Sequence, residues 1–220
     1  MNWSTGDMSP ARRDATTRVP WSYEDEALYY TAVALDRLRR GLELEPDLHT
    51  FPLDDPDEYI VASGPYRRYF FGPAGGSTVL THSYHSRDPM SLKNVTAVVN
   101  SLTRPQAERE VEQQWRSLDS GTLYVSNASL YFETWGGVRP WSFEGIDVAY
   151  MTARSQFRFN GSSDQGNDVH WLVTSAWAEL GFALWAVTRS VPHPHLLTLF
   201  PEEWRARARA RGLALPRLDP

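Results

Sequence analysis

The chain has no cysteine among its 220 residues. Disulfides, thiolate metal sites and a cysteine nucleophile are therefore excluded, and the composition fits a reducing cytoplasm. Positive charge is also scarce, since 22 lysines and arginines stand against 27 aspartates and glutamates, for a formal net charge of −5. Because proteins that bind nucleic acid usually carry a net positive charge, this balance argues against a nucleic-acid partner.

Long apolar runs are missing as well. The most apolar stretch, residues 176–187, is interrupted by Glu179 and is shorter than the roughly 20 residues that a membrane-spanning helix needs. The first residues do not combine positive charge with an apolar run, so they do not predict a signal peptide. We therefore expect a cytoplasmic protein without a transmembrane segment, with attachment to the inner face of the membrane as an alternative. Its richness in alanine, arginine and leucine suggests a bacterial origin.

Aromatic residues are abundant, with nine tryptophans, ten tyrosines and nine phenylalanines. So many rings need either a substantial core or an aromatic-lined groove. The pattern along the chain divides it into four regions. These are a polar lead-in predicted to be disordered (1–22), a helix with an acidic linker (23–58), a strand-rich domain (59–190), and a proline-containing connector with a basic tail (191–220).

Three helices are predicted from capping residues and apolar spacing. The first covers residues 23–42, where leucines and alanines recur every three to four positions after Ser22, a good N-cap. The second covers residues 105–118 and opens at Pro105 with a narrow apolar stripe. The third covers residues 174–189 and carries large aromatic side chains on one face.

The rest of the domain is predicted as short strands joined by turns. Residues 59–63 and 67–71 are interpreted as a hairpin split by Gly64-Pro65, and residues 77–84 as a further strand. From Gly121 onward the alternation predicts strands separated by the turn dipeptides Gly136-Gly137 and Asn160-Gly161. The further strand candidates are residues 146–151, 156–159 and 169–173.

Residues 121–146 resemble the GRAM and bacterial pleckstrin-homology-like families. The matching elements are Gly121-x-Leu123-Tyr124-x-Ser126-Asn127, Leu130-x-Phe132, the double glycine, Pro140-Trp141-Ser142-Phe143 and Ile146. The resemblance implies an α+β fold in which a strongly bent, seven-stranded antiparallel β-barrel is capped by a C-terminal helix. The N-terminal helix and the helix before the central meander would be additions. It also implies a binding module for membrane lipids or peptide segments, since few relatives are enzymes.

One position in the three-strand segment 121–146 indicates whether the partner is a protein or a membrane lipid. Many relatives carry a basic residue just before the second strand, where this chain has Ala128 and Ser129. A phosphoinositide pocket needs clustered basic residues, and the nearby loops supply only Arg139. We therefore rank a protein partner above an anionic membrane surface.

The candidate binding residues lie in two places. Trp135 sits at a turn tip, where side chains are normally exposed, and Tyr131 lies nearby in sequence. The tail carries a second group, which alternates with alanine and is able to touch lipid headgroups or pair with the acidic segment 43–58. This group consists of Arg205, Arg207, Arg209 and Arg211.

Recognisable catalytic motifs are absent from the sequence, so we predict no enzyme, no cofactor and no metal. His82 and His85 have no obvious third metal ligand, while His193 and His195 alternate with prolines and indicate an exposed connector. One alternative is a small-ligand or catalytic domain whose aromatic-lined cavity gathers His82, His85 and His170. Another is a structural, self-associating protein. The sequence does not indicate an oligomeric state.

Overall fold

Seven antiparallel strands and four α-helices are described by the computed structural model, which covers residues 20–49, 51–53, 55–73, 113–162, 168–189 and 193–216. The helices are α1 (Tyr23–Arg39), α2 (Ala178–Thr188), α3 (Pro194–Thr198) and α4 (Glu202–Ala210). The strands are β1 (Ile60–Pro73), β2 (Gln113–Ser126), β3 (Ser129–Thr134), β4 (Gly137–Ser142), β5 (Ile146–Ala153), β6 (Gln156–Ser162) and β7 (Asp168–Ser175). The α+β class and the antiparallel sheet are thus confirmed.

All seven strands form one sheet in the order β4-β3-β2-β1-β7-β6-β5. Strand β1 lies in the middle because it pairs with β2 along its length and with β7 from Tyr66 to Phe70. Strands β4 and β5 are the two edges, and no ladder joins them within the described residues. The prediction of a closed barrel is therefore wrong: a helical turn, Phe143–Gly145, links the two edges instead.

Helix α1 begins with a reciprocal capping box. The Ser22 hydroxyl accepts a hydrogen bond from the Asp25 N–H, and the Asp25 carboxylate accepts one from the Ser22 N–H, both at 3.1 Å. The apolar stripe that predicted the helix is buried at Leu28 and Leu35. The helix ends at Arg39 because Gly41 adopts a positive φ of 68°, a left-handed conformation that glycine tolerates without strain.

The hairpin predicted at Gly64-Pro65 is wrong, because β1 continues through both residues. A Cβ at Gly64 would lie 2.7 Å from Trp177 Nε1, so this glycine makes room for the indole rather than for a turn. Pro65 pairs with Thr122 of β2, and the β7 ladder starts only at the next residue. The missing N–H of Pro65 is therefore compatible with a strand that has one neighbour at this point.

The helix predicted over residues 105–118 is also wrong where it is described, since residues 113–118 belong to β2. The spacing of Trp115 and Leu118 fits a helix, but cross-strand pairing prevails over this local pattern. Trp115 packs against Phe71 of β1, with ring centroids 5.3 Å apart. The remainder of that prediction, the strand at 77–84 and nearly all of the lead-in lie outside the described residues.

The predicted meander is confirmed as β2, β3 and β4. Gly121 of β2 is required where it passes the end of β3, because a Cβ there would lie 1.9 Å from the Glu133 carbonyl oxygen. The later strand candidates are confirmed as β5, β6 and β7, but the turn predicted at Asn160-Gly161 is wrong, because β6 continues through both residues and pairs there with β5 and β7. The third predicted helix is α2, which begins at Ala178 because Thr174 and Ser175 still belong to β7.

The main core lies between the inner face of the sheet and the helices. We call the inner face the side that carries Phe132, Phe157 and Phe159, all buried. Phe182 of α2 packs edge-on against Phe157, with centroids 5.9 Å apart. Helix α4 joins the same core through Trp204, which is 1 % exposed and packs against Trp21 beside α1. The inner face is thus filled by aromatic side chains.

Candidate functional site

The β3–β4 tip consists of Trp135 and Gly136, which join the paired residues Thr134 and Gly137. Gly137 has a positive φ of 110°, and the Thr134 hydroxyl accepts a hydrogen bond from the Gly136 N–H at 3.2 Å. The turn is therefore well defined, yet its tryptophan is 102 % exposed. A large apolar ring held in water on an ordered turn is suited to bury against something outside the domain.

Tyr131 does not extend this exposed surface. It is only 6 % exposed and belongs to a small cluster on the outer face of the sheet with Ile60 and Tyr124. Phe51, from the acidic segment before β1, covers this cluster with its ring 5.2 Å from that of Tyr131. The structure thus separates two residues that were predicted to act together.

Arg139 lies on β4 opposite Phe132 and is exposed. Its charge acts on Tyr66, the pKa of which is nevertheless raised by burial and by the Asp119 carboxylate. Asp119 also forms a two-bond ion pair with the buried Arg68, including an Nε–Oδ1 contact of 3.0 Å. Arg139 therefore belongs to the polar end of the inner face, where an ion pair is built into the sheet.

The basic tail is part of the fold. Arg207 forms an ion pair with Asp25 at 2.7 Å, and Arg154 binds the same carboxylate oxygen at 2.6 Å. The other tail arginines have partners within the domain. Arg205 donates to the Phe200 carbonyl, Arg209 pairs with Glu202, and Arg211 lies 5.5 Å from the Trp21 ring. The described tail thus docks on the acidic start of α1, and not on the segment 43–58 as one alternative predicted.

Asp25 is the centre of this docking and is 2 % exposed. Burial by itself raises its pKa, but the hydrogen bonds from Arg154, the Ser22 N–H and Arg207 outweigh burial and hold the pKa below its usual value. The carboxylate therefore stays ionised and ties α1, α4 and the β5–β6 turn together. The acidic first turn after Ser22 is visible in the sequence, but the distant arginines that need it are not.

The two edges of the sheet differ in what blocks them. On β4, Pro140 has no N–H, which weakens an edge as a template for another strand. On β5, side chains form hydrogen bonds with backbone groups of the edge, so that these groups do not bond another strand. Met151 N–H donates to His195 Nδ1 at 3.1 Å, and the Ile146 carbonyl accepts from Trp185 Nε1 at 3.1 Å and from Arg189. His193 and His195 are half-buried, so the exposed connector predicted for them is wrong.

The outer face carries a second aromatic group, near β5 and β6. Arg158 lies with its guanidinium 5.0 Å from the Trp115 ring and 5.2 Å from the Tyr150 ring, and Phe71 packs beside Trp115. None of these residues belongs to either apolar cluster of the described residues. Arginine with tryptophan and tyrosine is a composition typical of protein interfaces.

The surface formed by the described residues includes two small cavities. One, of about 280 Å³, is a shallow depression lined by Tyr30, Asp47 and Trp177. The other, of about 110 Å³, is lined by Arg154, Glu179 and His195 among others. Burial raises the pKa of Glu179, but its carboxylate already accepts the Ser155 N–H at 2.7 Å and so supports the β5–β6 turn.

The small-ligand or catalytic alternative gathers three histidines around an aromatic-lined cavity. His170 is exposed on β7, and His82 and His85 lie outside the described residues. The described residues contain no group of three or more side chains able to hold a metal ion. Among them, no helix is long and apolar enough to cross a membrane.

No family model and no curated protein matches this chain.

Proposed function

We propose that this chain is a non-enzymatic binding module of the pleckstrin-homology-like type, which recognises a protein segment through the β3–β4 tip. The observation that carries the proposal is the full exposure of Trp135 on a hairpin rooted in the core by Leu130 and Phe132. Buried tryptophans are frequent energetic anchors of protein interfaces. Because the turn is already ordered, a partner pays little conformational entropy to cover it.

The arrangement of strands supports the pleckstrin-homology-like assignment. Strand β1 is shared between a β2–β3–β4 meander and a β7–β6–β5 meander, and the helix that follows β7 packs on the inner face. The tip belongs to the first meander, which also carries the sequence resemblance. The assignment rests on this order together with that resemblance.

A protein partner is favoured over a membrane because the described residues around the tip do not form a cluster of positive charge. Glu133 and Arg139 flank the hairpin with opposite charges, and the tail arginines bind groups within the domain. An anionic membrane contributes about 1 kcal/mol for each basic residue near its surface, so this tip would gain little from lipid charge. The aromatic group around Arg158 offers a second surface of protein-interface type.

The proposal is tested by placing a photo-crosslinking amino acid at position 135 and crosslinking inside the cells that express the chain. Leu48 is a matched control position, because it is also an apolar residue and is 91 % exposed. We expect discrete protein adducts from position 135 that position 48 does not give, and we expect the unlabelled wild-type chain to compete for them. An adduct with a second copy of the chain would favour the self-associating alternative.

Vesicle sedimentation separates the protein partner from the membrane. We expect vesicles rich in phosphatidylserine to bind the wild-type chain no better than the Trp135→Ala chain. Strong vesicle binding that is lost in Trp135→Ala, without protein adducts from position 135, would reverse the ranking. Adducts of equal pattern from positions 135 and 48 would overturn the tip as a specific site.

A further inference from the structure

The surface cavity of about 280 Å³ is a corner with two aromatic walls. Tyr30 of α1 and Trp177, just before α2, line it, and their rings meet edge to face with centroids 5.6 Å apart and an interplanar angle of 88°. Two rings that meet at a right angle bound a corner with one face of each, and the face of an aromatic ring is its negative side. We call this cavity the Tyr30–Trp177 corner.

Both rings are held in place by hydrogen bonds within the domain. Trp177 Nε1 donates to the Ser63 carbonyl at 2.7 Å and to the Tyr23 hydroxyl at 2.9 Å. The Tyr30 hydroxyl donates to the Glu45 carbonyl at 3.4 Å. A ligand therefore meets two walls that are already oriented, and little conformational entropy is lost when it binds.

The corner also carries an unbalanced negative charge. Glu45 and Asp47 both line it, and the Glu45 carboxylate forms an ion pair with Arg37 at 3.1 Å. Asp47 has no cationic partner among the described residues. Burial, followed by the Glu45 and Asp47 carboxylates, raises the pKa of Tyr30, although Arg37 acts in the opposite direction. The carboxylates that disfavour a negative charge on Tyr30 favour a positive charge in the corner.

Three hydrogen-bond acceptors at the corner already have donors. Asp47 Oδ1 accepts the Leu48 N–H at 2.8 Å, Asp47 Oδ2 accepts the Ser63 hydroxyl at 3.2 Å, and the Glu45 carbonyl accepts the Tyr30 hydroxyl. A primary ammonium brings three N–H donors, which would have to share these acceptors. A quaternary ammonium has no N–H and is recognised through ring faces and negative charge alone. The corner therefore favours a methylated ammonium over a primary one.

We propose that the Tyr30–Trp177 corner binds a quaternary ammonium group of the choline type, with Asp47 as its counter-charge. At about 280 Å³ the cavity lies at the small end of ligand pockets, which span about 300–1,000 Å³, so it suits a trimethylammonium group rather than a large ligand. Free choline-type solutes and the headgroup of phosphatidylcholine both present this group. The corner includes no residue of the β3–β4 tip, so it does not depend on the tip having a partner.

NMR spectroscopy of the full chain tests the recognition of charge. The indole N–H signal of Trp177, assigned by its loss in Trp177→Phe, reports on the corner. We expect choline to shift this signal saturably. The neutral isostere of choline, in which a tert-butyl group replaces the trimethylammonium, should bind at least about tenfold more weakly. Ethanolamine, a primary ammonium, should also bind more weakly. An equal affinity for choline and either of these compounds would overturn the proposal.

Two variants separate the charge from the aromatic wall. Asp47→Asn keeps an acceptor for the Leu48 N–H but removes the charge, and it should weaken choline binding about fivefold. Asp147→Asn makes the same change at an exposed position of β5 and should leave the affinity unchanged. Tyr30→Leu removes one wall and should weaken binding about tenfold. Wild-type affinity in Asp47→Asn, or in a folded Tyr30→Leu chain, would overturn the assignment of the site.

Vesicle flotation distinguishes the two sources of the ligand. Phosphatidylcholine vesicles that bind the wild-type chain but not Asp47→Asn, with free choline as a competitor, would assign the lipid headgroup. Choline binding without vesicle binding would assign a free solute. The absence of both a saturable shift with choline and binding to the vesicles would overturn the proposal.

Discussion

The β3–β4 tip and the basic tail are both surface regions in the sequence, yet the structure uses them in opposite ways. The tail buries Trp204 and engages Arg207 with Asp25, while the tip leaves Trp135 completely in water. A run of arginines therefore does not reveal whether its charges face solvent or a carboxylate elsewhere in the chain. A turn signal such as Gly136-Gly137 fixes local geometry and, with it, exposure. A turn signal is therefore a good guide to the surface only where no distant strand pairs with it, as at Gly136-Gly137, and it fails at Gly64-Pro65, which lies inside β1.

The largest difference in stability should come from replacing one tryptophan in each of the two regions by alanine. Trp204→Ala removes a fully buried side chain and should lower the free energy of unfolding by about 3–5 kcal/mol. Trp135→Ala removes an exposed ring and should change it by less than about 0.5 kcal/mol. Urea denaturation of both variants measures the two changes in the free energy of unfolding. Similar losses in the two would mean that the tip also has a structural role.

The next effect concerns the carboxylate that holds the tail. Asp25→Asn leaves Arg154 and Arg207 without their anion and should lower the free energy of unfolding by about 3 kcal/mol. The loss stays at the lower end for a broken buried ion pair, because both arginines are partly exposed and recover some hydration. The folded-state pKa of Asp25 is lowered, so its contribution is present above the unfolded pKa and is lost as the pH falls through the folded one. Stability measured from pH 7 to pH 2 should therefore fall less steeply below about pH 4 in the variant. An unchanged slope would show that another group dominates acid unfolding.

A smaller effect compares Gly121, on β2 beside the last residues of β3, with Gly136 at the tip of the hairpin. Gly121→Ala places a methyl group against the Glu133 carbonyl and should destabilise the fold by about 2 kcal/mol through strain. At Gly136 the nearest atom to an added Cβ is the Thr134 hydroxyl at 3.6 Å, so Gly136→Ala should be nearly neutral. Thermal unfolding of both variants gives the comparison. A neutral Gly121→Ala would mean that β2 and β3 are able to separate at this point.

The smallest effect should come from the outer side of the tail. Arg209 pairs with Glu202 on the surface of α4, and both side chains are mostly exposed. Such pairs contribute little, so Arg209→Ala should change the free energy of unfolding by less than about 0.5 kcal/mol. Double-mutant analysis with Glu202→Ala checks this. A loss comparable to that of Asp25→Asn would contradict the view that only the inner side of α4 is held by charge.

The sequence predicted the elements whose signals are local. Ser22, the leucine stripe and Gly41 define α1, and the alternation after Gly121 defines the meander. The errors occurred where distant pairing decides the structure. Pro65 is a turn residue in isolation, but it belongs to a strand because β2 lies beside it.

The candidate site was predictable to the same degree. The exposure of Trp135 follows from a two-residue turn, which is a local feature. The burial of Tyr131 depends on Phe51, and the engagement of Arg207 depends on Asp25, far away in the chain. No local pattern contains those partners. Likewise, the proline-flanked histidines show their contact with β5 only once the sheet edge is formed.

The central position of β1 has a consequence for how the chain is made. Its first ladder, with β2, joins segments that leave the ribosome before its second ladder is possible, because Tyr66 pairs with Ser175. Until β7 is synthesised, the β7-facing side of β1 has no strand beside it, and pairings between such distant segments form slowly. We expect the interval between synthesis of β2 and synthesis of β7 to be the period in which the nascent chain is most prone to mispairing.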